Sequence, residues 1–257
     1  MMGTLDLIKV PAWSQYTWLE HGFTGRAGGV STVYGDPALN LGFTPADDRQ
    51  SVLHNRALLL SALAPKATLA TLQQVHGTTV VALESPTEPV AADGMVTARP
   101  GLALGIQVAD CVPLLLFDPR QRVVAALHAG WRGTVARIAA TGVRAMSAEF
   151  GSRPEDLLAA IGPSIGPCCY QVGEELIDRV GPASELLHQH PDGVHFDLWE
   201  ASRQQLAEAG VRSISVLGLC TACSRAGERR RFFSHRADAG HTGRAMGVVA
   251  INDRTPA

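Results

Sequence analysis

The sequence predicts a mixed α/β domain in which β-sheets are layered with helices, and three observations carry that reading. The segments Leu102 to Val108, Val112 to Asp118 and Arg122 to His128 follow one another closely and are almost continuously apolar, the mark of strands buried on both faces. A helical repeat follows them. Strands and helices then alternate loosely, without the strict βαβ order of a doubly wound sheet.

Earlier in the chain, Ala67 to Val75 and Thr78 to Leu83 read as short strands on either side of Gly77. Asp118-Pro119 separates two of the apolar segments and predicts a hairpin there. From about Gly133, Val135, Ile138, Ala139, Gly142, Met146 and Phe150 recur at helical spacing until Gly151 ends the run. A second helix is expected over Glu174 to Val180, stopped by Gly181-Pro182. A third should start after Asp197, a good N-cap, and cover Leu198 to Ala209. Ile214 to Leu219 and Met246 to Ile251 return to strand character.

The chain has 257 residues, of which 46% are hydrophobic and 18% charged, proportions of an ordinary globular protein. Pro/Gly-rich stretches at 84–94, 162–168 and 181–193 are too short to separate domains, so one domain spanning 1–257 is expected. A formal charge of -2 with no basic stripe argues against nucleic acid as a partner, and Arg229 to Arg231 reads as a solvated turn. Apolar runs such as Val112 to Phe117 fall far short of the roughly 20 residues of a spanning helix, and a membrane role is not expected. Lys9, Pro11, Ser14 and Gln15 interrupt any secretory signal, which gives a cytoplasmic location as the expectation. Cys111, Cys168, Cys169, Cys220 and Cys223 are then free thiols or metal ligands.

Chemistry concentrates at strand ends. His76 closes one strand, Cys111 lies between two buried strands, and His128 closes a third before Gly130. Two imidazoles and a thiolate form a donor set that suits zinc, with a fourth position left for water or substrate. The separations, 35 residues from 76 to 111 and 17 from 111 to 128, match no local zinc signature. A Cys–His nucleophilic pair or ordinary buried residues therefore stay open on spacing alone. Cys220-Thr-Ala-Cys223 has the gap of a zinc ribbon, but a ribbon needs a second pair and the only other local pair is Cys168-Cys169. His188-Gln-His190, beside Pro191 in an expected loop, does not supply the several pairs of a copper oxidase. Glycine turns beside Arg26, Arg132, Arg236 and Arg244 favour anions such as phosphate, or are simply tight turns.

Taken together the motifs resemble the YfiH-like family, also called the laccase-domain or multicopper polyphenol oxidase family and now described as purine nucleoside phosphorylases. The matching blocks are Arg26-Ala-Gly-Gly-Val-Ser31, Leu39-Asn-Leu-Gly42 with Asn55-Arg56, Gln74-Val-His-Gly77, Ala92-Asp-Gly-Met95, Ala109-Asp-Cys-Val-Pro113, His128-Ala-Gly-Trp-Arg-Gly133, Ile161 to Gly166 with Tyr170 to Gly173, and Phe232 to Arg236 with Thr242-Gly-Arg244. They run in family order over about 21–251. The resemblance implies that His76, Cys111 and His128 bind zinc. It also implies phosphorolysis of adenosine, inosine and methylthioadenosine, with some adenosine deamination.

Asp110 is the candidate outer partner or proton carrier, and Arg26 and Arg236 are the candidate phosphate ligands. The partners expected are a purine nucleoside and phosphate, bound by a monomer. The rival readings are a cysteine hydrolase or peptidoglycan precursor editing factor using Cys111, and a polyphenol oxidase holding copper in place of zinc. Where the family often carries Tyr-Arg-Arg after Phe-Phe-Ser, this chain has His235, Arg236 and Ala237, so any anion contact in that block falls to Arg236. Cys223 lies outside the family pattern and is left out of the site.

Overall fold

Two β-sheets lie face to face, and helices cover the outer side of each. The computed structural model describes residues 5–35 and 37–252; the outermost residues of the expected 1–257 span fall outside these. In chain order the strands and α-helices are β1 (Leu7–Ile8), β2 (Leu19–Thr24), β3 (Ala27–Ser31), α1 (Arg49–Leu63), β4 (Thr68–Ala70), β5 (Val80–Ala82), β6 (Gly94–Thr97), β7 (Leu102–Val108), β8 (Val112–Asp118) and β9 (Val123–Ala129). Next come α2 (Trp131–Val135), α3 (Ile138–Phe150), β10 (Leu158–Ile161), α4 (Glu174–Val180), β11 (Leu187–His190), β12 (Gly193–Phe196) and α5 (Leu198–Glu208). The last are β13 (Ser213–Val216), β14 (Arg225–Ala226), β15 (Arg229–Arg230) and β16 (Ala245–Ile251).

The first sheet has the order β1-β2-β16-β7-β4 and the second β13-β10-β8-β9-β6-β5. Both are mostly antiparallel, with a parallel pair at one or both margins. The layering explains why the apolar runs do not alternate with polar residues. In β8, Leu115 and Phe117 face the space between the sheets, while Leu114 and Leu116 face α3 and α5. In β16, Val249 and Ile251 point inward and Met246, Val248 and Ala250 point toward α1. Every second residue thus meets a different apolar layer, and both faces lose water. The hairpin expected at Asp118-Pro119 is the β8–β9 pair.

Some elements differ from expectation, each for a local reason. The helix expected from Gly133 is divided into α2 and α3 by Arg137, which sits in the left-handed region at φ 69°. The strand expected to reach Val75 ends at Ala70, because the backbone N–H groups of Val75, His76 and Gly77 donate to the Asp93 carboxylate instead of to a ladder. His188 and His190 lie in the β11–β12 hairpin, not in a loop: Pro191 occupies the turn, where a missing N–H costs nothing.

The sandwich is closed at one end by aromatic rings. Phe117, fully buried, meets Trp13 edge-on at 4.9 Å and Tyr16 at 4.8 Å. At the opposite end β7 crosses from the first sheet to β8 of the second through Ala109-Asp110-Cys111. The β6 start, the β9 end and the β16 start reach the same rim, as the pairs Gly94–Leu127 and Ala245–Val108 require.

Candidate functional site

His128 is the penultimate residue of β9, paired with Pro113 of β8, so its backbone is fixed by the sheet. Cys111 precedes β8 on the short crossover between sheets. His76 comes from the loop between β4 and β5. Two of the positive-φ residues bracket this place, His76 at 61° and Asp110 at 88°. Such backbone strain collects where surrounding contacts over-determine the geometry.

Asp93 is what over-determines it. Its carboxylate is fully buried just before β6. It accepts from His76 N at 2.9 Å and Gly77 N at 2.6 Å, and the Nδ1 of His128 donates to it at 2.8 Å. One side chain therefore shapes the His76 loop and fixes the His128 ring with Nε2 left for a ligand. An imidazole held through its far nitrogen by a carboxylate is the usual outer support of a metal-ligating histidine. Sequence reasoning missed Asp93 as a functional residue, although it lies in the quoted block Ala92-Asp-Gly-Met95; only its 35-residue pairing with His128 reveals the role.

The ligating atoms of His76, Cys111 and His128 all lie within 4.8 Å of one another, with Cys111 Sγ 3.9 Å from His76 Nε2. Tetrahedral zinc with ordinary Zn–S and Zn–N lengths separates such donors by about 3.3–3.6 Å, so a small inward shift seats an ion. Gly130 makes the space: a Cβ there would stand 2.8 Å from His76 Cδ2 and 3.1 Å from Cys111 Sγ. The residues fit a borderline-soft divalent ion.

Without an ion the same groups polarise each other. Burial works against the Cys111 thiolate, but the charge and hydrogen bonding of His128, helped by His76, bring the thiol down to about 6. Burial likewise opposes charge on His128, yet Cys111 and Asp93 raise it to about 9. Burial would push Asp93 up; His128 and the loop N–H groups outweigh it and hold the carboxyl below its ordinary range.

The three candidate ligands open onto a cleft of about 580 Å³ whose lining includes Gln74, Asp110, Tyr170, His235, Arg236 and Arg244. Asp110 accepts from Thr221 Oγ1 and from Arg236 N, each at 2.7 Å, so its carboxylate holds the cleft wall. The Arg236 guanidinium donates to Gln171 O at 2.9 Å and lies over the Tyr170 ring. Arg26 is not in this cleft. It lines a separate cavity with Tyr34 and Arg231, where it faces Asp238 at 3.6 Å. Arg244, named in the sequence only as part of a glycine turn, lines the cleft.

Comparison with known proteins agrees with this architecture. The family model described as "Multi-copper polyphenol oxidoreductase laccase" matches residues 20–252. A purine nucleoside phosphorylase of Deinococcus radiodurans is 41% identical over 254 residues, covering 97% of this chain and 94% of that protein. The purine nucleoside phosphorylase YfiH of Escherichia coli is 36% identical, with 91% and 95% covered. Among solved structures, YlmD of Geobacillus stearothermophilus superposes with a TM-score of 0.85 at 33% identity, covering 98% of each chain. From the matched span and the shared fold, the chain belongs to the multi-copper polyphenol oxidoreductase laccase family, which is the YfiH-like family of purine nucleoside phosphorylases.

Proposed function

We propose that the protein is a zinc-dependent purine nucleoside phosphorylase acting on adenosine, inosine and methylthioadenosine, with a side activity as an adenosine deaminase. The observation that carries this is the cluster of His76, Cys111 and His128, braced by Asp93, at the floor of a cleft walled by two arginines. When bound, zinc supplies Lewis acidity and lowers the pKa of a water toward neutrality. The chain's own groups do the rest. His128 keeps its ring orientation through Asp93. Arg236 and Arg244 offer fixed positive charge to phosphate at the cleft. Burial, ahead of the Cys111 charge, pushes the Tyr170 hydroxyl up, so it stays protonated and able to donate to a substrate oxygen or nitrogen.

The deciding experiment is to incubate metal-defined protein with adenosine, with and without phosphate, and identify products. Adenine and ribose 1-phosphate formed only with phosphate support the reading; inosine and ammonia report deamination. The absence of both product streams would overturn it. One feature favours a second reading: the depressed Cys111 thiol beside two histidines is also a nucleophile's setting. Turnover by protein freed of metal selects that alternative, and copper with oxygen uptake on phenols selects the oxidase.

Arg236→Ala should weaken phosphorolysis far more than deamination, because only phosphorolysis must hold an anion. Loss of a charge-assisted hydrogen bond removes roughly 1.5–3 kcal/mol, or about ten- to a hundred-fold in rate. Parallel loss of both activities, measured on one preparation, would assign Arg236 a structural part through Gln171 and leave phosphate to Arg244.

A further inference from the structure

The cysteines that the cleft does not use come together elsewhere. Cys168 and Cys169 lie in the loop between β10 and α4, and Cys220 and Cys223 in the loop after β13. Although Cys168 and Cys223 are 55 positions apart, the four sulfurs all lie within 4.8 Å of one another. We infer that these four thiols form a second metal site, a tetrathiolate that takes zinc.

The spacing is that of such a site. Four thiolates around zinc at about 2.3 Å put neighbouring sulfurs about 3.8 Å apart, and Cys168 Sγ stands 3.7 Å from Cys223 Sγ. A disulfide would need about 2.05 Å. The backbone is arranged as a sulfur cradle. Gly166 N donates to Cys220 Sγ at 3.3 Å. Ser224 N closes the 220–224 turn on Cys220 O at 2.9 Å, and Cys169 N closes the opposing turn on Gly166 O at 3.0 Å. Soft sulfur donors alone, in a tetrahedral set, select zinc over harder ions.

An ion at this place would join two loops that support the cleft. Tyr170 directly follows Cys169, and Thr221, which holds Asp110, directly follows Cys220. The site is thus distinct from the His76 cluster and acts on it only through the wall they share. Metal binding would release thiol protons to solvent as the thiolates form. By contrast, the nearby group of His190, Asp192 and His195 holds no free donor set, since His195 already bonds Pro167 O and Asp192 through its two nitrogens.

The test uses the full chain, produced with zinc and purified under reductant without chelator, and counts metal by elemental analysis. Wild-type protein should carry about one zinc more per chain than Cys168→Ser/Cys223→Ser, whose changes fall at exposed positions. Cobalt(II) loaded into His76→Ala/Cys111→Ser should show the intense sulfur-to-cobalt charge transfer and d–d bands of a tetrahedral thiolate site. Those bands should vanish when Cys168→Ser/Cys223→Ser is added. Equal zinc in wild type and the Cys168→Ser/Cys223→Ser variant overturns the inference. So does an intact mass showing wild type two hydrogens lighter, with Cys168 joined to Cys223. Because the cobalt measurement is made without the His76 ligands, its outcome does not depend on the cleft's activity.

Discussion

At the scale of single residues, Asp93 and Cys111 are the most informative positions. Asp93→Asn keeps the size of the side chain and removes its charge. It leaves one oxygen to serve the three loop N–H groups and the His128 ring that share the carboxylate. Metal affinity at the His76 cluster should fall about ten- to a hundred-fold, read by competition with a chromophoric chelator. Unchanged affinity would reduce Asp93 to a backbone brace. For Cys111 the pH dependence follows from its surroundings. In metal-free protein the thiolate should appear as pH rises through about 6, so alkylation by a neutral reagent should already be fast at pH 7. The sign is that of an acid whose charged form is stabilised: protonation below about 6 slows the reaction, and the rate does not wait for the ordinary thiol range near 8.5. Above about 9 His128 loses its proton and the pair loses its cation. A profile rising only near 8.5 would show that the two rings do not act on the sulfur.

At the scale of elements, α1 shows where a sequence hides a helix. Its inward stripe is Val52, Asn55, Leu59 and Leu63, and the polar member breaks the apolar pattern that a reader follows. Asn55 is fully buried because its work is polar. It donates to Ser31 Oγ and to Ala38 and Asn40 carbonyls, and accepts from Val30 N at 2.8 Å. Asn55→Ala should cost at least about 2 kcal/mol in denaturant unfolding, since each buried group left without a partner costs roughly 1–3 kcal/mol. A loss below about 0.5 kcal/mol would mean water replaces the amide. β7 and β8, by contrast, were legible to the residue, because burial on both faces leaves an unbroken apolar run. α4 was legible because Gly181-Pro182 stops it. His76, Cys111 and His128 were readable as candidate metal-binding residues, although the strand expected to end at His76 stops at Ala70 and leaves that residue in a loop. Their brace at Asp93, the placing of Arg244 at the cleft and Arg26 in another cavity, and the meeting of Cys168 with Cys223 depend on pairings of distant segments that no local pattern records.

At the scale of the whole molecule, a metal held at the candidate cluster would be thermodynamically linked to the fold. An ion bound only by the folded chain and present at a hundred times its Kd adds about 2.7 kcal/mol, which for a chain of this size moves Tm by roughly 5–10 °C. Chelation should lower Tm by about that amount and added zinc should restore it in a thermal melt; no change on chelation would count against any tightly held ion. β16, the last strand described, is not an edge but the interior strand that joins β2 to β7. A premature stop after Arg244 would spare every candidate ligand and both cleft arginines. It would still strip β2 and β7 of their shared neighbour and expose two unpaired apolar edges of the kind that template aggregation. In a genetic screen, nonsense alleles there should behave as nulls lost to insoluble protein, indistinguishable in phenotype from alleles that remove the ligands themselves.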